Sequence, residues 1–233
     1  SGHLVLIQSA LLYTPGLTFD VALHFGTLMA VFVYFGKDIV DIIRDVLSLK
    51  FHTVSGKLGV YLVIATIPAG LAGFFLQKFI EGVFDSLLLL ALGFGITSLL
   101  LFIGSVAPQR SQVLTWKVAL VVGCAQMLSL FRGVSRSGST IVAGLWLGLN
   151  EKEAVKFSYL SSIPLIFGAN LTLIGNQTLP SELLWATLLA FAVSLCVMHV
   201  SFTYVLNNRK NLRWLGWYTS VLTMGILIFV LLR

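Results

Sequence analysis

Residues 118–150 read VALVVGCAQMLSLFRGVSRSGSTIVAGLWLGLN, apolar at both ends and interrupted from Arg132 to Ser139. Each apolar arm has about 12 to 14 residues, roughly 20 Å of helix at 1.5 Å per residue. A bilayer core of about 30 Å takes about 20 helical residues to cross. Neither arm spans alone, so the stretch is either two half-crossings or a hairpin that returns to the side it entered from.

The flanking sequence decides between these. Six runs are long and apolar enough to cross, near 19–36, 58–77, 86–107, 157–175, 183–205 and 214–232. With loop 37–57 on the cytoplasmic side, alternation puts 108–117 there too, and counting back from a cytoplasmic 206–213 puts 151–156 there. Cytoplasmic loops carry an excess of Lys and Arg. Lys37, Arg44, Lys50, Lys57, Arg110, Lys117, Lys152, Lys156, Arg209, Lys210 and Arg213 then fall inside, against Lys78 and Arg233 outside. Both ends of 118–150 are therefore cytoplasmic, and the stretch is a re-entrant helical hairpin with its polar tip near mid-membrane. Irregular backbone at that depth is tolerated only against protein or a water-filled cavity, so the tip is expected to line a cavity.

Composition agrees. The 233 residues are 58% hydrophobic and 10% charged, with mean hydropathy +0.97, against a charged share of about 25% in soluble domains. The net charge of +6 is scattered through short loops and reports topology; it forms no patch for nucleic acid. Cys124 and Cys196 lie in apolar runs without metal or disulfide spacing and read as small core residues.

The beginning of the chain repeats the hairpin theme. Ser1-Gly2-His3 is followed by an apolar arm, a turn at Tyr13-Thr14-Pro15-Gly16 and a span opening Phe19-Asp20; Ser137-Gly138-Ser139 is followed by an apolar arm, a turn at Asn150 to Glu153 and a span opening Phe157-Ser158. The expected fold is an all-α polytopic membrane protein, a single transmembrane domain of six spanning helices plus re-entrant hairpins. It is an inverted repeat with halves at about 1–107 and 117–233. Inverted repeats place binding sites at the repeat interface near the midplane. By that symmetry the first arm of the first hairpin falls upstream of Ser1. Between the first two spans, 38–51 sets Ile39, Ile42, Ile43, Val46 and Leu49 on one helical face, opposite Asp38, Asp41, Asp45 and Ser48, and reads as an interfacial helix.

An arginine at the bilayer centre costs about 2.5–3.5 kcal/mol on insertion scales, which makes Arg136 a functional candidate. Ser135 and Ser137 flank it with hydroxyls, Gly133 and Gly138 let backbone N–H groups approach a ligand, and Ser139 and Thr140 open the next arm. A guanidinium fork, hydroxyls and a helix N-terminus are the parts of a phosphate site. The plainer reading has Arg136 capping carbonyls of a broken helix, or Arg132 and Arg136 both on the cytoplasmic side. His3 takes the matching tip of the first half, as acid, base, nucleophile or phosphate ligand, and Ser1 and Gly2 precede it. The carboxylates Asp20, Asp38, Asp41, Asp45, Glu81, Asp85, Glu151, Glu153 and Glu182 all lie at span ends or in loops. None lies at the depth of Arg136, so no metal-ligand set is read in this chain.

At this point the residues resemble the undecaprenyl-diphosphate phosphatase family, the bacitracin-resistance type of membrane enzyme. Gly133-Val134-Ser135-Arg136-Ser137-Gly138-Ser139-Thr140 is similar to the family signature P-G-x-S-R-S-G-x-T. Ser1-Gly2-His3 is similar to the end of another, in which a Glu-x-x-x-Glu pair and a Ser-rich stretch precede Gly-His. Phe19-Asp20-Val21-Ala22-Leu23-His24, Ile67-Pro68-Ala69-Gly70, Gly123-Cys124-Ala125-Gln126 and Phe157-Ser158-Tyr159-Leu160 extend the likeness over the chain.

The resemblance implies hydrolysis of an isoprenyl diphosphate lipid to its monophosphate, recycling the carrier of peptidoglycan synthesis and giving bacitracin resistance. It implies a multi-pass protein of the plasma (inner) membrane with its site open to the outer side, among membrane lipids, with room for a homodimer. The family's glutamate pair serves catalysis and a divalent cation, Mg²⁺ or Ca²⁺. His3, Arg136, Ser135 and Ser137 take catalytic roles, with either a Ser or the His as nucleophile. Ser1, Gly2, Gly133, Gly138, Ser139, Thr140 and Arg132 bind substrate. Arg132 stands where the family has Pro, as a second cation for the diphosphate or as a side chain that snorkels. The alternative functions are a transporter or flippase of lipid phosphates or anions, or a catalytically incomplete fragment that binds diphosphate.

Overall fold

A computed structural model of the chain describes residues 3, 17–83, 86–174 and 183–232. Ser1, Gly2 and the first apolar arm lie outside the described residues. The described elements are all helical: α1 Leu17–Tyr34, α2 Gly36–Leu47, α3 Val54–Val83, α4 Leu87–Ser105, α5 Trp116–Met127, α6 Arg136–Trp146, α7 Glu151–Ile174, α8 Leu183–Asn207 and α9 Leu212–Leu231, with single 3-10 turns at Leu128–Leu130 and Arg209–Asn211.

Four stretches are long and apolar enough to cross a membrane, Val54–Leu76, Leu87–Ser105, Leu183–Val205 and Arg209–Leu231. The other two expected spans fall on α1, whose described apolar part is Ala22–Tyr34, and on α7, 24 residues long. Helix α7 is less apolar for a reason: Ser158, Ser161 and Ser162 are fully buried, so its polar side faces protein. The outer surface is the apolar one. Phe74, Phe75, Leu189 and Val221 are each more than 65% exposed, as befits helices solvated by lipid rather than water.

This inversion corrects one reading. Cys124 and Cys196 are free and exposed; they are not core residues. In a membrane chain an apolar neighbourhood marks the lipid face as readily as the core.

Helix α4 packs most extensively on α9, α1 on α8, and α3 on α5. Helices α5 and α6, 12 and 11 residues long, form the expected hairpin. Its two ends are tied together, because Gln112 N donates to Gly148 O at 2.8 Å. Chain that enters and leaves at one hydrogen-bonded point has not crossed.

The other loops on the cation-rich side gather at the same end. Lys156 Nζ pairs with Asp38. Arg209, with its side chain 5% exposed, donates from Nε to Glu151 at 2.7 Å and from Nη1 to Ala107 O and Pro108 O at 3.0 and 2.7 Å. One guanidinium thus joins three loops at a buried point.

Helix α2 stops at Leu47, four residues short of the expected interfacial helix. Leu49 turns the chain with φ 54°, and Lys50 N bonds back to Asp45 O at 2.8 Å. The stop comes from Thr53, whose hydroxyl donates to Asp45 Oδ2 at 2.6 Å and accepts from Gly56 N at 3.0 Å, beginning α3. Ile39 is buried while Leu47 and Leu49 are 78% and 73% exposed, so the apolar face divides between bundle and surroundings.

Candidate active site

The tip of the hairpin is built on the middle of α4. Thr97, eight residues from the end of that 19-residue helix, is 3% exposed. Its hydroxyl accepts from Ser135 N at 2.9 Å and reaches Gly133 O at 2.9 Å and Gly93 O at 3.0 Å. This single side chain satisfies two backbone groups of the non-helical turn, groups that would otherwise sit buried and unpaired. It sets the tip at the midpoint of a spanning helix, the depth expected from the arm lengths.

Two glycines make the approach possible. A Cβ on Gly93 would lie 2.1 Å from Arg132 O, so α4 and the turn meet backbone to backbone. Gly133 has φ +91°, and a Cβ there would come 2.5 Å from Leu90 O. Gly133 was expected to open its backbone to a ligand. In the structure its bare side is buried against α4. At Gly138 the space beside the backbone holds the Ser135 side chain, 3.1 Å from a built Cβ.

Helix α6 begins just after the turn. Ser135 is its N-cap, in extended backbone, with its hydroxyl accepting from Gly138 N at 3.1 Å. That hydroxyl keeps its own hydrogen to donate, and it lies 3.5 Å from Ser137 Oγ. Arg136 and Ser137 follow as the first helical residues, where backbone N–H groups lack helical partners. Ser135, Arg136 and Ser137 are half-buried and Arg132 is exposed.

Ser139 and Thr140, expected to bind substrate, are 2% and 1% exposed and point inward. Both donate to Arg136 O, at 2.9 and 2.8 Å, and Thr140 also meets Ser158 Oγ on α7 at 2.6 Å. They hold the helix turn that carries Arg136 and present nothing outward. Arg136 Nη1 donates to Ser158 O at 3.1 Å. One donor of five therefore anchors the guanidinium to α7, and the remaining fork is what an anion would meet.

His3 lies elsewhere. Its Nε2 is 2.9 Å from Tyr218 Oη on α9, and its ring packs on Tyr218 and edge-on to Phe94, with centroids 5.8 and 5.2 Å away. Phe94 in turn backs the turn, with its N 3.0 Å from a Cβ built on Gly133. His3 is thus one residue removed from the tip and makes no direct contact with Arg136 among the described residues.

Thr97, Ser158, Ser161, Gln126 and Tyr218 were not singled out for any role in the sequence. Polar side chains inside apolar runs are the signal that marks the first four. Among the described residues no three His, Cys, Asp or Glu side chains gather to hold a metal ion, so the divalent cation implied by the resemblance has no ligand set there. A cavity of about 710 Å³ lies at the loop-rich end, beside Arg209, Lys210 and Glu151, away from the tip.

A model of the family described as bacitracin resistance protein BacA matches residues 1–226. An undecaprenyl-diphosphatase of Trichlorobacter lovleyi is 39% identical over 97% of this chain and 88% of its own. Proteins of the same name from Geobacter metallireducens and Mycobacterium leprae are 34% and 35% identical, over 99% and 100% of this chain and 90% and 88% of theirs.

Proposed function

The chain belongs to the bacitracin resistance protein BacA family, and from that premise we propose that it hydrolyses undecaprenyl diphosphate to undecaprenyl phosphate and inorganic phosphate. The observation that carries the reading is the half-buried Ser135-Arg136-Ser137 run at the start of α6, halfway along α4. At that depth a diphosphate headgroup attached to an isoprenyl chain finds a guanidinium, two hydroxyls and unpaired backbone N–H groups together, while the isoprenyl chain stays among lipid-facing helices.

Arg136 would bind the phosphoryl oxygens through the part of its fork not held by Ser158 O. Negative charge that grows on those oxygens as the P–O bond breaks is then met by fixed donors, which need no reorganisation. The Ser135 and Ser137 hydroxyls converge on the same space. Mg²⁺ or Ca²⁺ belongs to the proposal as well; a bound divalent ion supplies charge neutralisation in phosphoryl transfer.

The reading places the protein in the plasma (inner) membrane with the tip open to the outer side, supported by the concentration of Lys and Arg at the loop-rich end. It also treats the domain as two inverted halves, about 1–107 and 117–233, supported by the pairing of their last helices, α4 and α9.

Release of inorganic phosphate from undecaprenyl diphosphate by the full-length protein in detergent with Mg²⁺ tests the proposal. Multiple turnovers are expected. Tight binding of the lipid without release would favour transport or binding instead.

A further inference from the structure

Gln126 lies in the last turn of α5, 0% exposed, with its side chain turned to α7. Its Oε1 accepts from Ser161 Oγ at 3.2 Å. Its Nε2 has no hydrogen-bond partner, the one such buried side-chain atom among the described residues. An amide N–H₂ shut away from solvent and unpaired loses its hydration without return, and a buried polar group left so asks for a reason. Full burial excludes bulk water as the partner. What satisfies Nε2 must reach it between the packed helices and bring an acceptor.

The surroundings say which kind. Ser161 Oγ also reaches Ser158 O at 2.9 Å, and Ser158 O is the carbonyl that holds Arg136 Nη1. Three hydrogen bonds in series therefore lead from Gln126 to the guanidinium, through one turn of α7. The other hydroxyls on these turns of α6 and α7 already point at protein: Ser162 at Tyr159 O, and Thr140 at Arg136 O. A neutral donor linked to a half-buried cation suits an anionic oxygen.

We propose that Gln126 is a further residue of the phosphate site, its Nε2 donating to a phosphoryl oxygen of the bound diphosphate alongside Arg136. The inference rests on the phosphatase reading and deepens it. Ser161 Oγ shares its one hydrogen between Gln126 Oε1 and Ser158 O, which leaves the amide nitrogen on the side away from Ser161.

The test uses Gln126→Met, which keeps the side-chain size without either polar atom, and Gln126→Glu, which keeps an acceptor for Ser161 and replaces the donor with an anion. Each is made in the full-length protein. KM and kcat for undecaprenyl diphosphate are measured, together with the thermal midpoint with and without inorganic pyrophosphate. Both variants should raise KM roughly tenfold or more, the worth of a hydrogen bond to a charged group, with Glu the worse, and both should lose most of the pyrophosphate-induced rise in midpoint. The midpoint without ligand should stay near wild type.

Wild-type KM and pyrophosphate response in both variants would overturn the inference and assign Nε2 to a resident water or to packing. Should neither variant fold, Ser161→Ala decides: releasing the amide oxygen should raise KM several-fold, and an unchanged KM overturns the proposal. Absence of turnover in the wild type would instead remove the phosphatase reading, so the two failures are distinguishable.

Discussion

At Gly133 the backbone turns through φ +91° with its bare side so close to α4 that a Cβ would lie 2.5 Å from Leu90 O. An L-residue held in that region costs of order 1–3 kcal/mol, and the overlap adds to it. Gly133→Ala is expected to lower stability by about 2 kcal/mol or more, read from the thermal midpoint in detergent; an unchanged midpoint would mean that the turn is not packed on α4. Some of the residue scale was legible beforehand. Arg136 and Ser137 stood out because charge and hydroxyls at membrane depth are expensive unless used. Thr97 did not, since a lone threonine in a span commonly bonds its own helix, as Thr66 does with Leu62 O. Its second partner lies 36 residues away, a distance that no local pattern reports.

The hairpin is the element whose existence followed from length and charge alone. Arms too short to cross, between loops on one side, admit few other arrangements, and the Gln112–Gly148 bond closes the case. What arm length could not tell is which faces of the two arms are occupied. Ser139 and Thr140 continue the Ser-rich run, yet helical rotation turns them inward to α7 while Ser135 to Ser137 stay half exposed. The end of α2 was misjudged for a related reason: periodicity continued through Leu49, but Thr53 captured Asp45 and ended the helix. At this scale the prediction concerns access. With Cys124 and Cys196 replaced by Ala, Ser137→Cys should react with a membrane-impermeant thiol reagent applied from outside and be shielded by diphosphate. Reaction from the cytoplasmic side alone would reverse the proposed orientation.

Across the whole molecule, the loop-rich end is fastened by Arg209, which links the α4–α5 loop, the start of α7 and the α8–α9 turn. Glu151 is the only charge partner of that guanidinium among the described residues. Partial burial pushes the Glu151 carboxyl up, but the hydrogen bond and charge of Arg209 outweigh it and hold the carboxyl below its usual range. A carboxyl lowered on folding adds stability that is complete above its unfolded value and disappears as pH falls through its folded one. Glu151→Gln should therefore destabilise the protein by about 1–3 kcal/mol at neutral pH, the range for a hydrogen bond to a charged group. Its midpoint should converge with that of wild type as pH drops below the carboxylate range. A gap that persists in acid would assign the loss to packing. The all-helical membrane architecture and the gathering of basic loops were legible because lipid solvation and loop charge act on the whole chain. The pairing of α4 with α9 was not, because lipid-facing and protein-facing sides of these helices are both apolar.

The central claim is that the tip of the α5–α6 hairpin binds and cleaves a lipid diphosphate through Arg136. Its most direct measurement is phosphate release from undecaprenyl diphosphate by full-length Arg136→Ala beside wild type, with the folded fraction of each measured in parallel. The account predicts a loss of at least about 100-fold, of the order found when a positioned transition-state donor is removed, in protein that remains folded. Turnover within a few-fold of wild type would contradict it and put the site elsewhere.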